Sequence, residues 1–369
     1  MSPLVAEGPF QPHAIKHAAA NNLRWIVAGF LSLPFALMAM PAWSHVRWFV
    51  DPSDPSLELL EGYAFSDPAV LTWIAVGFAI IGASIFLDDK LLKVRVVDSK
   101  TRHDVMEIVR IFVGMSFLLT AYEGGLVAPH FRAFGGFGLT LLLLQAAIGI
   151  MLIANRWLQH AAVLMMLLYL GMVAKFGFFA ALEYCNIVGI ALFLLFNNFR
   201  TAKRLLQFKP YSVASLRIFT GVALVALAIG EKLQGAMLGQ AFIAAYGWNF
   251  MQLLGFEWFD DRLLVLSAGM AEAIFGILLI LGTTTRLTIL ALSAIMALSN
   301  VAFIMQEHRV EAMTEFIGHL PLIATALLLV FLGYGQRLKA TDMVRDFVRA
   351  RREAKADTAA QNALEGTKA

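Results

Sequence analysis

Residues 135–176 read GGFGLTLLLLQAAIGIMLIANRWLQHAAVLMMLLYLGMVAKF. Two apolar runs of about 20 residues, each long enough to cross a bilayer as a helix, are parted by little more than Asn155-Arg156. The runs do not alternate in polarity as barrel strands would, and they are too long for strands of a soluble sheet. A tight hairpin of two membrane-spanning helices is the reading, and it sets the ruler for the rest of the chain.

The same ruler gives ten candidate spans, near 24–43, 69–88, 108–127, 135–154, 157–176, 181–199, 214–233, 264–283, 287–305 and 315–334. Composition agrees. Of 369 residues 59% are apolar and only 15% charged, with a mean hydropathy of +0.72, where a soluble domain is nearer half apolar and a quarter charged. The net charge of +3 and the single cysteine, Cys185, exclude a nucleic-acid binder and a disulfide scaffold. If the N-terminus is cytoplasmic and ten spans alternate, 23 of the 29 Lys and Arg fall on the inner side. The positive-inside rule then predicts a multi-pass membrane protein with both termini in the cytoplasm. The first span is longer than a signal-peptide core, and Trp43 and Trp48 suit the interfacial anchors of a retained helix.

An internal duplication is expected. Arg110-Ile111-Phe112-Val113-Gly114 matches Arg217-Ile218-Phe219-Thr220-Gly221. Gln145-Ala146-Ala147-Ile148-Gly149 matches Glu272-Ala273-Ile274-Phe275-Gly276, and Glu183 matches Glu315, all in the same order. The predicted organisation is all-α: a cytoplasmic tail (1–23), a two-helix hairpin (24–106), a first four-helix unit (107–208), a second (209–339), and a tail (340–369) that is basic and amphipathic before turning disordered. Four spans per unit make the repeats parallel, as two four-helix bundles.

Ionisable residues inside spans are costly and mark a cavity, a partner or a bundle interior. In the first unit Glu123, Lys175 and Glu183 fall near the outer ends of their spans and Gln145 lies deeper. In the second, Glu231, Lys232, Asn300, Glu315 and His319 fall in the outer half, and Glu272 sits about eight residues in, roughly 12 Å deep. His319 follows Glu315 by one helical turn. Glu231 with Lys232, and Lys175 with Glu183, are ion pairs by proximity. Glu272 and His319 are the strongest site candidates, because neither easily reaches water unaided, and a carboxyl buried in hydrocarbon is expected to take up a proton. No His or Cys spacing predicts a metal site, and no haem, flavin or nucleotide motif is present.

The second unit's Leu216-Arg217-Ile218-Phe219-Thr220-Gly221, Gly230-Glu231-Lys232-Leu233, Glu272-Ala273-Ile274-Phe275-Gly276 and Glu315-Phe316-Ile317-Gly318-His319-Leu320-Pro321-Leu322 together resemble the DoxX/DoxD family of four-helix bacterial membrane proteins. The resemblance covers about 125 residues of that unit and extends faintly to the first, where Asn186-Ile187-Val188-Gly189 stands in place of Gly-His-Leu-Pro. It implies a membrane subunit of a quinone-linked oxidoreductase, with quinone as cofactor, the bilayer as its medium and redox subunits as partners. Two other readings stay open: a small-solute, ion or proton transporter working between the repeats, and a non-catalytic assembly or scaffold subunit.

Overall fold

The computed structural model describes residue 49 and residues 61–88, 90–91, 99–333, 337–343, 345–346 and 348–353. The described residues up to Ala340 belong to one compact unit, and those from Thr341 on belong to a second. The expected span at 24–43 and the disordered end of the tail lie outside the described residues. In the tail, Arg345 pairs with Asp342 and Arg349 with Glu353, the three- and four-residue spacings of a helix.

The described residues contain helices and no strand. Eight helical segments are long and apolar enough to cross a membrane, by length and composition. In chain order the helices are α1 (Pro68–Asp88), α2 (Ser99–Tyr122), α3 (Gly135–Ile153), α4 (Leu158–Phe176), the short α5 (Phe178–Leu182), α6 (Asn186–Asn197), α7 (Ala202–Phe208), α8 (Ser212–Leu227), α9 (Ala236–Tyr246), the single turn α10 (Phe250–Leu253), α11 (Asp261–Leu281), α12 (Thr285–Met305) and α13 (Arg309–Leu332). The span expected at 181–199 is shorter in the structure. Gly177, at φ 92°, ends α4 where a side chain would be strained, and α6 keeps only 12 residues, about 18 Å of helix.

The long helices close into a ring in the order α2, α3, α4, α6, α8, α11, α12, α13 and back to α2. The last helix of each predicted unit packs hardest on the first helix of the other, α13 on α2 and α6 on α8. The two sets of four are contiguous arcs of one ring, joined at these two seams.

Matched devices hold both halves. The Arg110 guanidinium donates to the Leu152 and Ile153 carbonyls at the end of α3. Arg217, fully buried, donates to the Leu279 and Ile280 carbonyls at the end of α11. Each arginine supplies donors and positive charge to carbonyls that a helix C-terminus leaves unpaired. Glycines then let the paired helices touch. A Cβ on Gly114 would lie 3.0 Å from the Gly149 carbonyl oxygen, and one on Gly221 only 2.5 Å from that of Gly276.

These bonds place the 154–157, 198–211 and 282–284 connections at one end of the ring, where Arg156, Arg200, Lys203, Arg204, Lys209 and Arg286 gather. We call this the basic end and the opposite one the far end. Helix α1 lies against α11 from outside. Trp73 Nε1 donates to Ser267 Oγ at 3.1 Å, Ser84 and Thr283 hydroxyls meet at 2.9 Å, and Asp88 accepts from the Thr284 amide and from Lys339 Nζ.

Candidate functional site

The interior of the second half is a cavity of about 320 Å³ toward the far end, enclosed by α8, α9, α11, α12 and α13. Its wall is mostly apolar, with Phe242, Trp248, Phe275, Met296 and Phe303 prominent, and its polar groups are Lys232, Glu272, Ser299, Glu315 and His319.

The backbone puts them there. After Leu227, helix α8 widens into a π-helical stretch, Ala228–Leu233, an irregularity common at functional sites. Glu231 on this stretch is fully buried. Lys232 Nζ lies 2.8 Å from Glu231 Oε2 and 2.8 Å from Glu272 Oε2. Its stem needs Gly269, where a Cβ would come within 2.7 Å of Lys232 Cβ. The bridging lysine ties Glu272 to Glu231. Eleven residues into α11, about 16 Å along its axis, Glu272 has a charged partner.

A second cluster faces it from α12 and α13. Ser299 Oγ donates to Glu315 Oε1 at 2.6 Å, and Asn300 Nδ2 lies 3.5 Å from Glu315 Oε2 and 3.2 Å from the Ala312 carbonyl. His319 Nδ1 stands 4.0 Å from Glu315 Oε1, the predicted one-turn relation. His319 also lines a small void of about 70 Å³ at the junction of the two halves, which Glu183, Tyr184, Asn186 and Thr220 border from the other side.

An aromatic cluster closes the far end, and no sequence argument had located it. Phe303 stacks near Trp248 (ring centroids 4.6 Å), Phe49 (5.2 Å) and Tyr246 (5.1 Å), and Tyr246 meets His308 at 5.0 Å. Trp248 Nε1 donates to Gln306 Oε1 at 2.8 Å, tying the segment after α9 to the end of α12. The signal available was the Phe242, Tyr246 and Trp248 spacing in the longer connection of the second half.

The predicted residues of the first half do not form a matching site. Gln145, which the sequence match aligns with Glu272, is fully buried and spent on structure. It accepts from the Val127 amide at 2.8 Å and donates to Phe117 O, Thr120 Oγ1 and Gly125 O. These bonds pin the 123–134 connection into the bundle, where Leu126, Val127 and Phe131 are buried. Glu123 is exposed; its amide donates to the Leu119 carbonyl and its carbonyl accepts from Arg132. Lys175 donates to the Phe134 carbonyl at 2.8 Å, and no Lys175–Glu183 pair forms. Gly177 ends α4 between them, and Glu183 turns inward to the junction void.

Among the described residues no group of three or more His, Cys, Asp or Glu side chains gathers to hold a metal. The cavity suits an organic molecule: apolar walls for a ring or chain, donors from Lys232 and His319, acceptors from the carboxylates and Ser299 Oγ. In comparisons with known proteins, no family model, no curated protein and no solved structure matches the chain.

Proposed function

We propose that the chain is a DoxX/DoxD-like protein of the bacterial inner membrane, with cytoplasmic termini, built from two parallel copies of a four-helix unit. It acts as the quinone-binding membrane subunit of a quinone-linked oxidoreductase and passes electrons to partner subunits. The matched Arg110 and Arg217 caps and the matched glycine contacts support the duplication.

One observation carries the functional reading: an apolar, aromatic-lined cavity of about 320 Å³ that ends on a lysine, a histidine and two carboxylates. Small-molecule sites are of this kind, from about 300 Å³ upward, apolar with a few convergent polar groups. A quinol supplies two electrons and two protons when oxidised. This chain's residues bind the head with the remaining Lys232 N–H as donor and Ser299 Oγ as acceptor, and exclude water with the Phe49, Trp248 and Phe303 cluster. Glu272 and the Glu315–His319 pair accept protons next to the far end, which is the periplasmic side in this reading.

The transporter reading is weakened by the extent of the two seams. Two bundles rocking about a shared cavity would have to part α2 from α13 and α6 from α8, the ring's most extensive contacts along with α2–α3 and α8–α11. The scaffold reading leaves the polar groups of the cavity without a role.

The test is the complex purified from native membranes and assayed for quinol-dependent electron transfer. E272Q and H319A should each lower turnover by tenfold or more while inserting and assembling normally, the scale of a lost acid–base group. Wild-type turnover in both variants overturns the proposal.

A further inference from the structure

A second site lies at the basic end, remote from the cavity. The start of α4 and the connection from α6 into α7 enclose an open groove of about 530 Å³, lined by Gln159, His160, Val163, Leu164, Phe199, Arg200, Thr201 and Arg204. Three of these side chains are cationic or protonatable, two more can donate hydrogen bonds, and none is acidic. Arg200, Arg204 and His160 make no ion pair among the described residues. Charge of one sign gathered in a groove, without counter-charge, calls for an anion from outside the chain.

The groove is held in shape. Phe199, part of its wall, sits in a cluster with Phe196 and Phe208, with centroids 5.4 Å apart for Phe196–Phe208 and 5.5 Å for Phe199–Phe208. That cluster fastens α7 to the end of α6 and fixes where Arg200 and Arg204 stand. Thr201, the residue before α7, has no capping bond from its side chain, so its hydroxyl is available.

Its place in the fold says what kind of anion. The groove opens where the apolar helix α4 begins, beside Trp157, which is 63% exposed as interfacial tryptophans are. Beyond it Val163, Leu167 and Leu170 are exposed and, three to four residues apart, form one apolar stripe along α4. A charged head in the groove therefore continues into a track for a hydrocarbon chain. Planar guanidinium groups match phosphate oxygens in bidentate fashion, and basic pockets between membrane helices hold anionic lipid headgroups.

We propose that this groove binds the phosphodiester head of an anionic phospholipid, with Arg200 and Arg204 on the phosphate, His160, Gln159 and Thr201 on the head, and one acyl chain along Val163, Leu167 and Leu170. The inference stands apart from the function proposed for the cavity.

The test is native mass spectrometry of the full chain in detergent, titrated with phosphatidylglycerol, phosphatidylcholine or inorganic phosphate. R200Q/R204Q should weaken phosphatidylglycerol binding by roughly tenfold or more, and H160Q by less. K203Q/K209Q removes the same charge outside the groove and should leave binding within about twofold of wild type, because two surface lysines off the site add only diffuse attraction. Equal retention of phosphatidylcholine, equal loss in K203Q/K209Q, or no loss in R200Q/R204Q overturns the proposal. So does competition by inorganic phosphate as strong as by the lipid, which would make the groove a site for free phosphate.

Discussion

Replacing Lys232 with methionine is the sharpest perturbation of the cavity. The ammonium lies 2.8 Å from both Glu231 Oε2 and Glu272 Oε2, and the three side chains are 20%, 0% and 15% exposed. Methionine keeps most of the stem packed on Gly269 but leaves two carboxylates facing each other without counter-charge. Breaking a buried ion pair by removing one partner costs about 3–5 kcal/mol, against about 0.2–1 kcal/mol for an exposed pair. Because a fifth of Lys232 reaches solvent, the expected loss is near the lower figure, about 3 kcal/mol. E272Q should cost about 1 kcal/mol, since Lys232 keeps Glu231. The triple variant K232M/E231Q/E272Q removes every charge and should return to within about 1.5 kcal/mol of wild type, as apolar or neutral replacement of a whole buried pair often does. Equilibrium unfolding in mixed micelles, followed by tryptophan fluorescence, gives all three values. The reasoning is refuted if K232M loses less than about 1 kcal/mol, or if the triple variant is no more stable than the single one.

Two further outcomes follow from the packing. G221A drives a Cβ to 2.5 Å from the Gly276 carbonyl and should cost about 1–3 kcal/mol as an overpacked contact. G82A, with nothing within 4 Å, should stay within about 0.5 kcal/mol of wild type; the same unfolding assay separates them. Q145L should destabilise by about 1–3 kcal/mol because it orphans the Val127 amide and the acceptors around it, yet leave quinone binding unchanged, which a binding titration on the same variant checks.

Much of the helical framework was readable in advance, because the run of apolar residues needed to cross a bilayer is long and hard to disguise. Helices expected at 69–88, 135–154 and 157–176 appear at Pro68–Asp88, Gly135–Ile153 and Leu158–Phe176. The errors fall where apolar residues do something other than span. Leu126 and Val127 extend the expected span to 127, but the chain turns at Gly124, φ 77°, and those side chains fold back to fill the first half. Apolar residues in a loop look the same as apolar residues in a helix until the loop has an interior to enter.

The candidate site was half legible for a similar reason. Charge in a hydrophobic run drew notice to Glu231, Lys232, Glu272, Glu315 and His319, all of which meet in or beside one cavity. Position alone did not distinguish Gln145, whose amide satisfies four backbone and side-chain groups, or Glu123, which stays at the surface. Nor does any local pattern announce the π-helical stretch that turns Glu231 and Lys232 inward, or pair Ser299 with Glu315, since both depend on how neighbouring helices are set.

The central claim is that the ligand enters the second half of the molecule and that the first half is filled by its own chain. Photo-crosslinking with an azido-quinone in native membranes, followed by peptide mapping, addresses it directly. The account predicts labels on segments 239–248, 264–275, 292–303 and 315–322, competed away by unmodified quinone and lost from K232M. Competable labels on 117–148, or on the lipid-facing stripe of α1 with the cavity unlabelled, would contradict it.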